Sequence, residues 1–132
     1  MNRILLFIIF GLLVACKNKG TSTESQKLYQ EIMDIHDEVM PKMGNLRRLS
    51  KSLKKIENSE SNVNIQKSLA ELDEAHESMM SWMAQFKLPK DITQAEEMEF
   101  LNGQMKSVNE MKNTMLTAIE NAENELSKYN KE

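Results

Sequence analysis

Two segments of this sequence repeat one arrangement of soft donor atoms. His36, Met40 and Met43 stand at i, i+4 and i+7, and His76, Met80 and Met83 do the same. Residues at those intervals share one stripe of an α-helix, so each segment would present an imidazole and two thioethers on one face. Imidazole and thioether donors suit Cu(I), and the six residues are the candidate metal ligands. The competing reading is packing. Methionine favours helix and fills irregular gaps in cores. A histidine on such a stripe is usually satisfied by a nearby acid, here Asp73 or Glu110. Both readings stay open on the sequence.

Other chemistry is poorly supplied. There are two histidines and one cysteine. No Gly-rich phosphate loop, Gly-x-Ser-x-Gly or His-Glu-x-x-His is present. Asp73-Glu74-Ala75-His76 matches one half of a di-iron bundle motif, with an acid three residues before a histidine. The required twin fails, because Met33 stands three before His36. No catalytic residue is assigned, and the chain is expected not to be an enzyme and to need no cofactor beyond the copper alternative.

The elements that must position these residues read as helices. Leu28, Ile32, Ile35, Val39, Met43 and Leu46 recur at spacings of three and four, and the series continues to Ile56. After a polar break at 57–62, a second series runs from Ile65 to Phe86. Leu88-Pro89 ends it, since proline disfavours helix in the residue before it. Thr93 and Glu96 then form a capping-box pattern ahead of a third series, Met98 to Tyr129. No stretch alternates with period two. The pattern predicts an all-α, antiparallel three-helix bundle with helices near 26–57, 63–87 and 93–129.

Turn positions then suggest a register. Pairing of the first two helices around residue 60 sets Met40 opposite Met80 and His76 near Met43. Pairing of the last two around residue 90 sets Met83 near Met98 and His76 near Met105. The histidines and at least six methionines would share one core layer. The second helix is the shortest, so the C-terminal end of the third is expected to overhang, or to pack only on the first. Pro41 lacks the amide that would bond the Asp37 carbonyl, which predicts a kink. Acids lead in the first helix, and Lys42, Arg47, Arg48, Lys51, Lys54 and Lys55 follow. That order suits the helix macrodipole. It also leaves a basic surface fit for anionic headgroups or an acidic partner.

The N-terminus supplies a different kind of information. After Arg3, residues Ile4 to Val14 are apolar except for Gly11, a run too short to span a bilayer but suited to a signal peptide. Its end, Leu13-Val14-Ala15-Cys16, resembles the lipobox of bacterial lipoproteins. That resemblance implies cleavage after residue 15, acylation of Cys16 and membrane attachment through its acyl chains. Lys17, in place of Asp, implies sorting to the outer membrane, facing the periplasm. Residues 16–25 are expected to be a lipidated flexible tether, and 26–130 the bundle. Since Cys16 is the only cysteine, no intramolecular disulfide is possible. Cleavage leaves sixteen Lys and Arg against twenty Asp and Glu, a net charge of −4 that argues against nucleic acid as a partner.

A second resemblance rests on Met33-Asp-Ile-His-Asp-Glu-Val-Met-Pro-Lys-Met-Gly-Asn-Leu46, Ala75-His-Glu-Ser-Met-Met-Ser-Trp-Met83 and Phe86. These segments are similar to a set of small uncharacterised bacterial lipoproteins often labelled "viral A-type inclusion protein". The label matches their coiled-coil-like composition and implies no viral function. The family carries no known activity. The expected function is therefore a non-enzymatic, lipid-anchored helical bundle of the cell envelope with a binding or structural role, with a possible protein partner. The alternative is a Met/His-rich Cu(I)-binding lipoprotein of the periplasm.

Overall fold

The computed structural model describes residues 23–57 and 62–129. The signal segment 1–15, Cys16 and residues 17–22 of the expected tether lie outside the described residues. The architecture is the expected all-α bundle of three rods. The first rod is two helices, α1 (Thr23–Val39) and α2 (Met43–Glu57), joined by a 3₁₀ turn at Met40–Lys42. The second is α3 (Val63–Gln85), and the third is α4 (Gln94–Ser127). The helix begins earlier than expected. Residues 23–25, expected in the tether, form its first turn, and Ser25 is fully buried. Among the described residues, no helix is long and apolar enough to cross a membrane.

Local chemistry sets the boundaries. Pro41 stands near the start of the 3₁₀ turn, where its missing amide is tolerated, and the Met43 amide donates to the Met40 carbonyl. The expected kink is thus a short break in the α-helical ladder. Asn62 caps α3 by accepting from the Asn64 amide at 2.8 Å. At its other end the Phe86 amide still bonds the Trp82 carbonyl, and the chain then leaves the helix through Leu88-Pro89. The capping box at α4 forms as expected. The Thr93 amide donates to Glu96 Oε2 at 2.8 Å, and the Glu96 amide donates to Thr93 Oγ1 at 3.3 Å. The backbone bond from Thr93, then its hydroxyl bond, holds the Glu96 carboxyl below the usual carboxylate range.

The core is aliphatic and sulfur-rich. Ile32, Leu49, Leu53, Ile65, Met79, Leu101 and Met115 are almost wholly buried. Each such burial contributes about 1.5–3 kcal/mol before entropy is counted. An exposed ion pair contributes about 0–1 kcal/mol, so packing of these stripes fixes the fold.

The third rod does not sit in the expected register. A connection centred on residue 90 would set Glu71 opposite Asn109. Instead Asn121 donates to Glu71 at 2.9 Å, and Asn62 donates to the Tyr129 hydroxyl at 2.7 Å. The C-terminal end of α4 therefore packs on the start of α3, and Ala122 and Glu125 are buried there. The overhang falls at the other end, where the first turns of α4 run past the end of α3. The cause is the connection itself. Residues 86–93 carry Pro89 and a left-handed Asp91 at φ 59°, and they run on past the end of α3 before α4 begins. Met83 accordingly lies away from Met98, and His76 away from Met105. On its other side α4 runs beside α1 and α2. Lys112 pairs with Glu38 at 2.6 Å, and Arg48 approaches Glu123 at 4.0 Å.

Candidate functional site

Two neighbouring features divide the side of the bundle between the first rod and α3. The first is a stack of rings. His36 lies on Trp82 with centroids 5.5 Å apart, and Trp82 lies on Phe86 at 4.8 Å. Phe86 also meets Tyr29 at 5.6 Å and Phe100 at 6.3 Å. Tyr29 and His36 are seven apart on α1, and Trp82 and Phe86 are four apart, so each pair shares a stripe of its helix. α1 packs its backbone closely on α4 and meets α3 through these rings.

His36 is the chemically unusual member. Its Nδ1 lies 2.9 Å from Asp37 Oδ1. An ionised carboxylate only accepts, so Nδ1 carries the shared proton. In the neutral ring Nε2 then holds a lone pair, and Nε2 is buried without a hydrogen-bond partner. The Trp82 indole N–H is likewise buried and unpartnered. Each such group costs about 1–3 kcal/mol of desolvation, more than an ordinary packing imperfection, so both are informative.

The second feature is an open groove between α2 and α3, of about 820 Å³. Its floor is Leu46, Leu69, Ala70 and Leu72. Its α2 rim carries Arg47, Lys51, Lys54 and Lys55, with Ser50 among them. On α3 it meets Asp73 and, at one end, His76. Among the described residues none of the four rim cations is paired with a carboxylate. His76 Nδ1 is 3.6 Å from Glu77, and its side chain is 38% exposed.

The six soft-ligand candidates are therefore not one core layer. His36 and Met43 are buried, each 9% exposed. Met40, Met80 and Met83 are 42%, 47% and 41% exposed. His76 belongs to the groove and His36 to the ring stack. The methionines that do fill the core of α3 and α4 are Met79, Met111 and Met115. Helical spacing correctly groups residues into stripes but does not say which stripe faces inward. On α3 the buried series is Ile65, Ser68, Leu72, Ala75, Met79 and Trp82, because this helix lies between the first rod and α4 and buries the arc between them. Trp82 is the buried member of the ring stack that helical spacing did not single out. Its signal was its being the only tryptophan, four residues before Phe86. Among the described residues no three or more His, Asp or Glu side chains gather as metal ligands.

No family model, curated protein or solved structure matches the chain.

Proposed function

We propose that this is a lipid-anchored, non-enzymatic binding protein of the bacterial envelope, akin to the small lipoproteins that its two histidine segments resemble. The binding role rests on one observation, the α2–α3 groove of about 820 Å³, whose four rim cations have no carboxylate partner among the described residues. The anchor rests on Leu13-Val14-Ala15-Cys16 at the end of an eleven-residue apolar run. Attachment is through acyl chains on Cys16, with the outer membrane, facing the periplasm, as the expected location. The non-enzymatic reading is supported by the sequence, which carries no Gly-x-Ser-x-Gly, His-Glu-x-x-His or Gly-rich phosphate loop. Metabolic labelling with a fatty-acid analogue should mark the full chain and leave the Cys16→Ser variant unmarked. Label on the variant would end the lipoprotein reading.

A second reading, Cu(I) binding, is favoured by the state of His36. Metal-bound histidines almost always donate their other ring N–H to a carboxylate or carbonyl, as Nδ1 does here to Asp37. The free Nε2 lone pair is buried beside Trp82, an aromatic face that attracts cations. In this reading Met40, Met43 and Met83 supply sulfur after side-chain movement, and His76 and Met80 contribute little. Competition against a Cu(I) chelator should show affinity that is lost in His36→Ala and kept in His76→Ala. Equal affinity in the wild type and His36→Ala excludes it.

A further inference from the structure

The groove between α2 and α3 combines two demands that few ligands meet together. Its floor is aliphatic: Leu46 and Leu72 are already covered by the protein, and Leu69 and Ala70 are the side chains it leaves open. Its rim holds Arg47, Lys51, Lys54 and Lys55 against the single acid Asp73. Arg47, Lys51 and Lys55 follow at i, i+4 and i+8, so like charges face each other along one stripe of α2. Elsewhere on the bundle some cations are neutralised by neighbours, as Lys112 is by Glu38, Lys67 by Glu71 and Lys128 by Glu125, and those without a carboxylate partner among the described residues, Lys27, Lys42, Lys87 and Lys90, line no shared groove. At the groove four cations stand together with no carboxylate partner among the described residues. An inorganic anion would satisfy the rim and leave Leu69 and Ala70 wet. An apolar molecule would cover the floor and leave the rim repelling itself.

We infer that the groove binds a single-chain amphiphile, an aliphatic tail with an anionic phosphate or carboxylate head, lying tail-down on Leu69, Ala70 and the methylene stems of the α2 cations, with its head on their charged ends. A planar two-point acceptor suits the Arg47 guanidinium, and the lysines add point charge. The volume of about 820 Å³ lies within the range of small-molecule sites. The position of the groove points to a ligand taken from water rather than from the bilayer. Leu46 stands 23 residues beyond Thr23, roughly 35 Å along the first rod at helical rise, and the chain reaches Cys16 from the Thr23 end. That last step rests on Cys16 being the anchor; the chemistry of the groove does not.

The test uses the full chain in the neutral detergent dodecyl maltoside, which supplies a tail without charge. Native mass spectrometry then counts the adducts formed with dodecyl phosphate, with inorganic phosphate and with dioleoylphosphatidylglycerol. One dodecyl phosphate per chain is expected. Its affinity should fall roughly tenfold or more in Arg47→Gln/Lys51→Gln/Lys54→Gln, because charge-assisted bonds are lost. It should hold in Lys27→Gln/Lys87→Gln/Lys90→Gln, which removes the same charge elsewhere. Circular dichroism checks that both variants stay helical; should the triple variant unfold, Lys51→Gln alone takes its place. Equal losses in the two variants overturn the site, as does inorganic phosphate binding as tightly as the amphiphile. Retention of the two-chain lipid in place of dodecyl phosphate overturns the single-chain assignment and makes the bilayer the source. If Cys16 carries no lipid and dodecyl phosphate is still retained, only the argument from position falls. If Cys16 is acylated and the groove takes nothing, the anchored protein stands and this inference fails.

Discussion

The two halves of the first rod face the same partner helix in opposite ways. α1 meets α3 across stacked rings, His36 on Trp82 and Tyr29 on Phe86, which fill the space between them. α2 meets α3 across a groove left open, with cations on its rim. The 3₁₀ turn at Met40–Lys42 separates the two regimes. Pattern alone does not distinguish them, since both halves carry apolar residues at three- and four-residue spacing. The difference lies in side-chain size and in what stands beside the stripe. Broad flat rings bridge helices whose backbones stay apart, whereas leucines flanked by lysines cover the seam only partly. The ring half should therefore hold stability, and the groove half should be free to vary.

The sharpest way to break that comparison is Trp82→Ala. Removing the centre of the stack leaves a cavity among His36, Phe86 and their neighbours, and should cost about 3–5 kcal/mol in urea unfolding. A loss below about 1 kcal/mol would mean that the rings are not what joins α1 to α3.

A smaller effect of opposite sign is expected at Gly103, in the part of α4 that runs beside α1. A methyl group there meets nothing within 4 Å. Gly103→Ala should stabilise by about 0.5–1 kcal/mol, through helix propensity alone. Destabilisation would show that this segment needs a backbone freedom that the helix does not display.

On the groove side, Arg47→Gln/Lys51→Gln/Lys54→Gln should change stability by only a few tenths of a kcal/mol, since like-charge neighbours on a helix cost roughly 0.2–0.5 kcal/mol each. Its signature is salt dependence. The melting temperature of the wild type should rise with ionic strength as repulsion is screened, and that of the variant should rise less. Identical salt curves would show that the rim is already neutralised.

The smallest effect belongs to the start of α4. Glu96 titrates below its unfolded value because Thr93 bonds its carboxylate, so this contribution is present above the unfolded pKa and is lost as pH falls through the folded one. The stability gap between the wild type and Glu96→Gln should therefore close on acidification from neutral pH. A gap independent of pH would show that the capping box does not act through the ionised carboxylate.

The three rods, their approximate ends and the cap at Thr93 were legible in the sequence because each depends on residues close together along the chain. The register of α4 was not. It depends on how far the connection 86–93 travels before the next helix starts, and neither Pro89 nor Asp91 encodes a length. The candidate site was legible in part. The basic run on α2 and the two histidine stripes stand out by spacing, but a stripe one residue away is buried on α3, which turns Met80 and Met83 outward and Trp82 inward. Interleaving of three helices decides that rotation, and it involves residues dozens of positions apart.

That same register shapes how the chain reaches its native state. The bonds that secure α4 join Asn62 to Tyr129 and Glu38 to Lys112, 67 and 74 positions apart. α2 ends at Glu57 and α3 begins at Val63, so contacts between these two helices are closer in sequence and can form early. Docking of the C-terminal end of α4 must then close loops comparable to half the chain, and loop closure is paid before the contacts reward it. Substitutions under α4, such as Leu101→Ala or Met115→Ala, should mainly hasten unfolding, whereas Leu53→Ala or Ile65→Ala should slow refolding. The extended connection after Gln85 thus sets the order of assembly as well as the shape of the bundle.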